Sequence, residues 1–363
     1  MTTRSRHLPN WGFSRTRLSA KRTPFQSALL AWYQANKRSL DWRRSTDPYL
    51  VWVSEIMLQQ TTVKSVQPYF RSWTARFPTV EDLAAASVDE VLEQWAGLGY
   101  YSRGRRLLEG AQLVVKDGWP TSAREWERIP GVGKYTACAI ASISLNEPVA
   151  TVDGNIERVF ARIQADASSG QELKKRAWSW ADSQLETESP GDWNQALMEL
   201  GATICTPRNP LCDQCPVREF CQAQLLETVA DFPVKAPGPQ WRPLEHVIVV
   251  PRCGGLYGVR KSPENEWWAG MWGFPRGKSR CELAQFHDSP NLILIGSFSH
   301  VVTKHKISVE VVLADCMTMA DELNWFPEEA ISSLGLPAPQ RRAWNLALDW
   351  IRRSDRQPTL VDS

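Results

Sequence analysis

The stretch Ile204–Cys221, ICTPRNPLCDQCPVREFC, spaces four cysteines as C-x6-C-x2-C-x5-C within seventeen residues. The segments between them, of six, two and five residues, are too short to carry a core of their own, so another force must hold the loop together. Thiolates at Cys205, Cys212, Cys215 and Cys221 can all reach one small inorganic centre. By spacing alone an iron-sulfur cluster and a zinc ion serve equally, and paired disulfides are a third alternative. The other cysteines, Cys138, Cys253, Cys281 and Cys316, stand singly and read as core or free thiols of a reducing compartment.

Upstream lies IPGVGKYTACAIASI, Ile129–Ile143. Gly131 and Gly133 permit a tight turn with backbone amides facing outward, and the helix that follows adds its positive end, which together make a phosphate-sized anion site beside Lys134. A capped turn between two core helices would look similar. With the cysteine loop behind it, this hairpin resembles that of the helix-hairpin-helix DNA glycosylases that carry a [4Fe-4S] cluster, and the resemblance runs from Phe25 to Cys221. It implies a cluster held by the four cysteines, and DNA phosphate met by Gly131, Gly133 and Lys134.

Length and composition agree. The 363 residues suffice for two domains, and 43% apolar with 23% charged residues is ordinary for a soluble protein. No run of eighteen apolar residues exists, so no membrane partner is expected. Net charge is only +2, yet residues 1–22 carry Arg4, Arg6, Arg15, Arg17, Lys21 and Arg22 without an acid. That composition suits a disordered phosphate-touching arm, a solubilising extension or a transit peptide. A reducing, DNA-containing compartment is expected: bacterial cytoplasm, or nucleus or mitochondrion in a eukaryote.

Apolar residues recur every three to four positions from 23 to 225, including one run from Asp47 to Trp73, so this region reads as an all-α domain. Residues 226–243 are Pro-rich and read as a linker. From 244 to 355, EHVIVVPRCGGLYGVRK, NLILIGSFSH and HKISVEVVLADC alternate as strands do, predicting a smaller α+β domain before a short tail, 356–363.

Two acids stand out. Glu55 is the only ionisable residue between Tyr49 and Thr61, and its helical neighbours are Val51, Trp52, Leu58 and Gln59. Desolvation there raises a carboxyl pKa, as proton donation near neutral pH requires. An amphipathic helix could instead let this Glu reach water. Asp153, in TVDGNIERVF, fits an ordinary helix N-cap. It also fits an ionised partner that stabilises the cationic sugar left when an N-glycosidic bond breaks.

The segment SEIMLQQT resembles the SEVMLQQT of MutY-type adenine DNA glycosylases. That resemblance implies that Glu55 protonates the departing base, that Asp153 is the catalytic aspartate and that Asn155 orders sugar and water. Tyr135 stands where endonuclease III-like enzymes carry an attacking Lys. A phenol cannot form a Schiff base, and Lys134 is turned about 100° away along the helix. A monofunctional enzyme is therefore expected, and a bifunctional lyase or a silent iron-sulfur DNA-binding protein are the other classes.

Further matches concern the substrate. Trp42 and Arg43 in LDWRR resemble the family's LPWR, with Asp41 in place of Pro. Gln195 is similar to the adenine reader, and Gln60, Leu98 and Tyr100 to a wedge that props the duplex open. WWAGMWGFPRGK resembles the Nudix-like domain of the family, but the metal-holding acids of a working Nudix helix are mostly missing after Gly277. Recognition of 8-oxoguanine without hydrolysis follows, its reader being Ser299 in FSH or, in the register set by ISVEVV, His300 with Thr303. The implied activity is excision of adenine opposite 8-oxoguanine or guanine in double-stranded DNA by a monomer.

Overall fold

The computed structural model describes residues 22–354 apart from positions 236, 237, 239, 264 and 303. Its helices in chain order are α1 (Pro24–Asn36), α2 (Pro48–Leu58), α3 (Val63–Arg76), α4 (Val80–Ala84), α5 (Val88–Trp95), α6 (Ser102–Asp117), α7 (Ala123–Trp126), α8 (Lys134–Ser144), α9 (Gly154–Ile163), α10 (Gly170–Ser183), α11 (Pro190–Thr203) and α12 (Gln222–Leu225). Strands follow: β1 (Arg242–Cys253), β2 (Leu256–Lys261), β3 (Trp272–Gly273), β4 (Arg276–Gly277), β5 (Leu292–Val302), β6 (His305–Asp315) and β7 (Asn324–Phe326). The helices α13 (Glu328–Ser333) and α14 (Ala338–Ser354) close the order.

The expected all-α region and the α+β region after it are both present. The run expected from Asp47 to Trp73 is two helices, however. Gln60 takes a left-handed φ of 58° just past α2, and the Thr62 hydroxyl caps α3 by accepting from Ser65 N at 3.3 Å. Arg22, placed in the basic tail, is anchored to Ser189 at 3.1 Å and Glu186 at 3.5 Å. The strand β1 begins at Arg242, inside the expected linker.

Two compact units divide the chain. The first joins residues up to Arg38 with 146–233, the second joins 39–145 with the residues from Val234 onward. In the first, Phe25, Leu29, Leu30 and Tyr33 of α1 pack with Ile156 and Phe160 of α9 and Trp193, Leu197 and Leu200 of α11. A charged pin joins α1 to α11: Arg38 meets the fully buried Glu199 through Nε at 2.6 Å and Nη2 at 2.7 Å. Such a bidentate pair offsets the desolvation of the carboxylate.

In the second unit, Trp52, Trp73, Trp95 and Trp126 are wholly buried among α2–α8. The sheet has the order β3-β2-β1-β6-β5, with β4 on β1 and β7 on β2. The β1–β6 pair is parallel and the others antiparallel. Both faces of central β1 are covered. Ile248 and Val250 join the core under α14, while Val247 and Val249 join a second core with Leu283 and Phe286. That two-sided burial explains the unbroken apolar run VIVV.

Candidate active site

Asp47 caps α2 by accepting from Tyr49 N at 2.8 Å, and Pro48 pre-sets the first turn. From there the helix carries Glu55 into the interior, only 8% exposed, between the buried Ser54 and Ile56 and one turn from the buried Val51 and Trp52. A carboxyl so placed is shielded from water, as the apolar spacing predicted.

Asp153 belongs to the first unit. Its backbone is extended, and the segment before it is pinned by the wholly buried Asn194, which accepts from Thr151 N at 3.2 Å and donates to Val149 O at 2.9 Å. Its carboxylate caps α9, accepting from Ile156 N at 2.8 Å and from Asn155 Nδ2 at 2.8 Å. Burial pushes the Asp153 carboxyl above the usual range, and the Ile156 and Asn155 N–H groups oppose that rise. The N-cap reading of this residue is thus met, and the cap holds the carboxylate in a fixed orientation. Gln195, on α11 of the same unit, is half-buried and donates to Gly191 O at 3.3 Å.

The hairpin forms as expected, although its glycines differ. Gly131 has φ +80°, and an added Cβ would lie 3.0 Å from Arg106 Cβ, so only glycine fits. Gly133 has an ordinary φ of −97° and serves as the N-cap of α8, with no side-chain cap hydrogen bond. Lys134 is exposed and Tyr135 half-buried. Thr136 behind them accepts from Gln59 Nε2 at 3.2 Å, which ties the hairpin helix to α2.

Trp42 is buried edge-on against Phe70, and Arg43 ends the same short 3-10 turn. Asp41, the departure from LPWR, does not loosen that turn, because it holds Arg71 at 2.6 Å and Arg44 at 3.3 Å. Of the residues expected to form a wedge, Gln60 and Tyr100 are exposed, while Leu98 is buried.

The four cysteines line one pocket, with Val159, Arg162, Leu200 and Val217. Arg162 donates to Cys205 Sγ at 3.3 Å and Thr206 O at 2.7 Å. Burial, with the neighbouring thiols adding to it, pushes the Cys215 thiol up to about 12. Among the described residues no three Cys, His, Asp or Glu side chains gather closely enough for a single metal ion. Four sulfurs around one cavity fit an iron-sulfur group. When bound, such a group supplies four metal-thiolate cross-links to the loop.

In the C-terminal domain, Ser299 is an exposed mid-strand residue of β5 paired with Ser308 of β6, and His300 pairs with Ile307. Thr303 lies outside the described residues. The His300 ring is tilted against those of Trp268 at 6.1 Å and Phe298 at 6.0 Å, and Arg276 lies over the Trp268 ring at 4.8 Å.

Residues 53–183 match the HhH-GPD superfamily of base excision DNA repair proteins, 205–221 the iron-sulfur binding domain of endonuclease III, and 246–346 the NUDIX domain. An adenine DNA glycosylase of Buchnera aphidicola subsp. Acyrthosiphon pisum is 33% identical over 267 residues, covering 71% of this chain and 75% of that protein. The chain belongs to the adenine DNA glycosylase family. The human adenine DNA glycosylase is 48% identical over 219 residues, 56% of this chain, and the match spans only 40% of the human protein. A thermostable thymine-DNA glycosylase structure superposes with a TM-score of 0.51 at 27% identity, covering 56% of this chain and 95% of that one.

Three residues escape a motif reading of this adenine DNA glycosylase family member. Arg158 donates to Asn155 Oδ1 at 2.9 Å, Gly201 O at 2.8 Å and Cys205 O at 2.8 Å. Gly201 lets α11 approach α9, since a Cβ there would lie 2.6 Å from Asn155 Cβ. Arg103, 9% exposed, donates from Nη1 to the carbonyls of Ile56 (2.8 Å), Met57 (3.1 Å) and Gln59 (2.5 Å). From Nη2 it reaches the carbonyls of Leu98 and Gly99 (both 3.2 Å) and Thr61 Oγ1 (3.3 Å). A signal existed for it: Arg103 falls on the apolar stripe of α6 with Leu107, Ala111 and Val114.

Proposed function

We propose that this protein is a monofunctional adenine DNA glycosylase of base excision repair, which hydrolyses adenine from double-stranded DNA opposite 8-oxoguanine or guanine and leaves an abasic site. The observation that carries the reading is the buried carboxyl of Glu55 on an otherwise apolar helix of a chain in this family. Glu55 would hand its proton to the leaving purine. Asp153, ionised and oriented by Asn155 and Ile156 N, would stabilise the cationic sugar that remains, and Asn155 would order the attacking water.

Tyr135 offers no amine, so the sugar meets water and the strand stays whole. Trp42, Arg43 and Gln195 would hold the extruded adenine. Gln60, Leu98 and Tyr100 would keep the duplex open, at a cost of a few kcal/mol that a mispair lowers. The hairpin amides and Lys134 would hold phosphate. On the C-terminal domain, Ser299, His300 and Thr303 would read the oxidised base, with no hydrolysis there and the protein acting as a monomer.

The test is a duplex with one A:8-oxoguanine pair, incubated with the protein and then split into samples with and without alkali. Strand breakage only after alkali is expected. Breakage without alkali would indicate a lyase, and an intact strand in both samples would refute the enzyme reading.

A further inference from the structure

Gln60 and Tyr100 are both non-glycine residues in the left-handed region, at φ 58° and 48°. Each is strained, and such residues persist only where their surroundings over-determine them. Gln60 sits at the position past α2 where glycine commonly ends a helix, so the chain accepts strain there and keeps a side chain. Neither side chain repays that cost by burial, since Gln60 is exposed and Tyr100 is 57% exposed.

The two turns share one donor. Arg103 serves three carbonyls at the end of α2, then Leu98 O and Gly99 O in the other turn, and its guanidinium also lies over the rings of Tyr100 at 5.6 Å and Trp95 at 5.3 Å. Trp95 Nε1 completes the second turn by donating to Gly99 O at 3.0 Å. A planar fork with five donors can span both turns, whereas an ammonium group cannot.

We propose that Arg103 is the positioning residue of the duplex-opening element, locking the Gln60 and Tyr100 turns into one rigid piece so that both side chains enter the stack together. This rests on the reading that those side chains part the duplex. Arg103 touches no DNA itself. It acts by removing the freedom of one turn to move against the other.

The test uses Arg103→Lys in the full chain, with 2-aminopurine next to the A:8-oxoguanine pair to report unstacking. The fluorescence rise on binding should fall about tenfold and single-turnover excision about a hundredfold, as loss of orientation by an ångström does. Affinity for undamaged duplex should change by less than about threefold because the charge is kept. Leu107→Ala, one turn along α6, destabilises the same helix and should keep the fluorescence response. If Arg103→Lys does not fold, Thr61→Val, which deletes one acceptor, should give a smaller loss of the same signal. Parental unstacking in the folded Arg103→Lys protein, or in Thr61→Val where only that variant folds, overturns the proposal. So does an equal loss in Leu107→Ala, or a parent protein that gives no rise at all. A parent that unstacks the duplex without releasing adenine would sink the enzyme reading and leave the role of Arg103 standing.

Discussion

Asn155 Nδ2 donates to Asp153 Oδ2 across 2.8 Å while Oδ1 of the same amide accepts from Arg158 Nη2 at 2.9 Å. Because Arg158 also holds Cys205 O at 2.8 Å, the carboxylate proposed to meet the sugar is tied through two side chains to the first residue of the cysteine loop. Neither amide orientation nor carboxylate rotamer is free to drift.

This tie gives excision a defined acid limb. Burial raises the Asp153 pKa and the Asn155 amide lowers it. If turnover needs the anion, the rate falls as pH drops through that raised value. Asn155→Ala removes a group that favours the anion, so the limb should move to higher pH. Single-turnover rates across a pH series check the direction, and a shift to lower pH would contradict it.

Glu55→Gln keeps the shape of the α2 interior and removes the proposed proton donor. Adenine release should fall about a hundredfold to ten-thousandfold, the usual worth of a general acid. Binding to a duplex with an uncleavable adenine analogue should persist. Rate and affinity measured on one preparation separate the two.

Gly201→Ala puts a methyl group against Asn155 and should cost about 1–3 kcal/mol as overpacking does. Unlike a remote core change, it should slow excision as well, because Asn155 is the residue displaced. Thermal melting compared with rate will show whether the two effects travel together.

Cys215→Ser removes one of the four sulfurs around the cavity. Loss of the broad visible absorbance of the cluster, and a lowered melting temperature, are expected from absorbance and calorimetry on the purified variant. Colourless protein with bound zinc in the parent would argue against iron.

Tyr135→Lys supplies the missing amine. Borohydride treatment during turnover should then trap a covalent protein–DNA adduct that the parent does not give. No adduct would mean that this position does not face the reacting carbon.

Much of this arrangement was readable before folding. The cysteine spacing, the hairpin and the apolar surroundings of Glu55 are local patterns, and each appears in the structure as the residues suggest. The break at Gln60 was not legible, because Leu58, Gln59 and Thr61 continue a helical pattern and only a left-handed backbone ends it. The parallel pairing of β1 with β6 depends on chain crossing and leaves no local mark. Arg103 and Arg158 belong to no motif, and their partners are mostly backbone carbonyls that only folding brings together.

The unit that holds the cysteine loop is built from α1 and from residues after 145, with 39–145 folded elsewhere. On the ribosome, the apolar face of α1 therefore waits for α9 and α11 to be synthesised before it can be covered. Metal loading cannot precede that event, since Val159, Leu200 and Val217 of the cavity wall are synthesised well after α1. Within its unit, α1 is accordingly the helix whose apolar face stays uncovered longest while the chain grows.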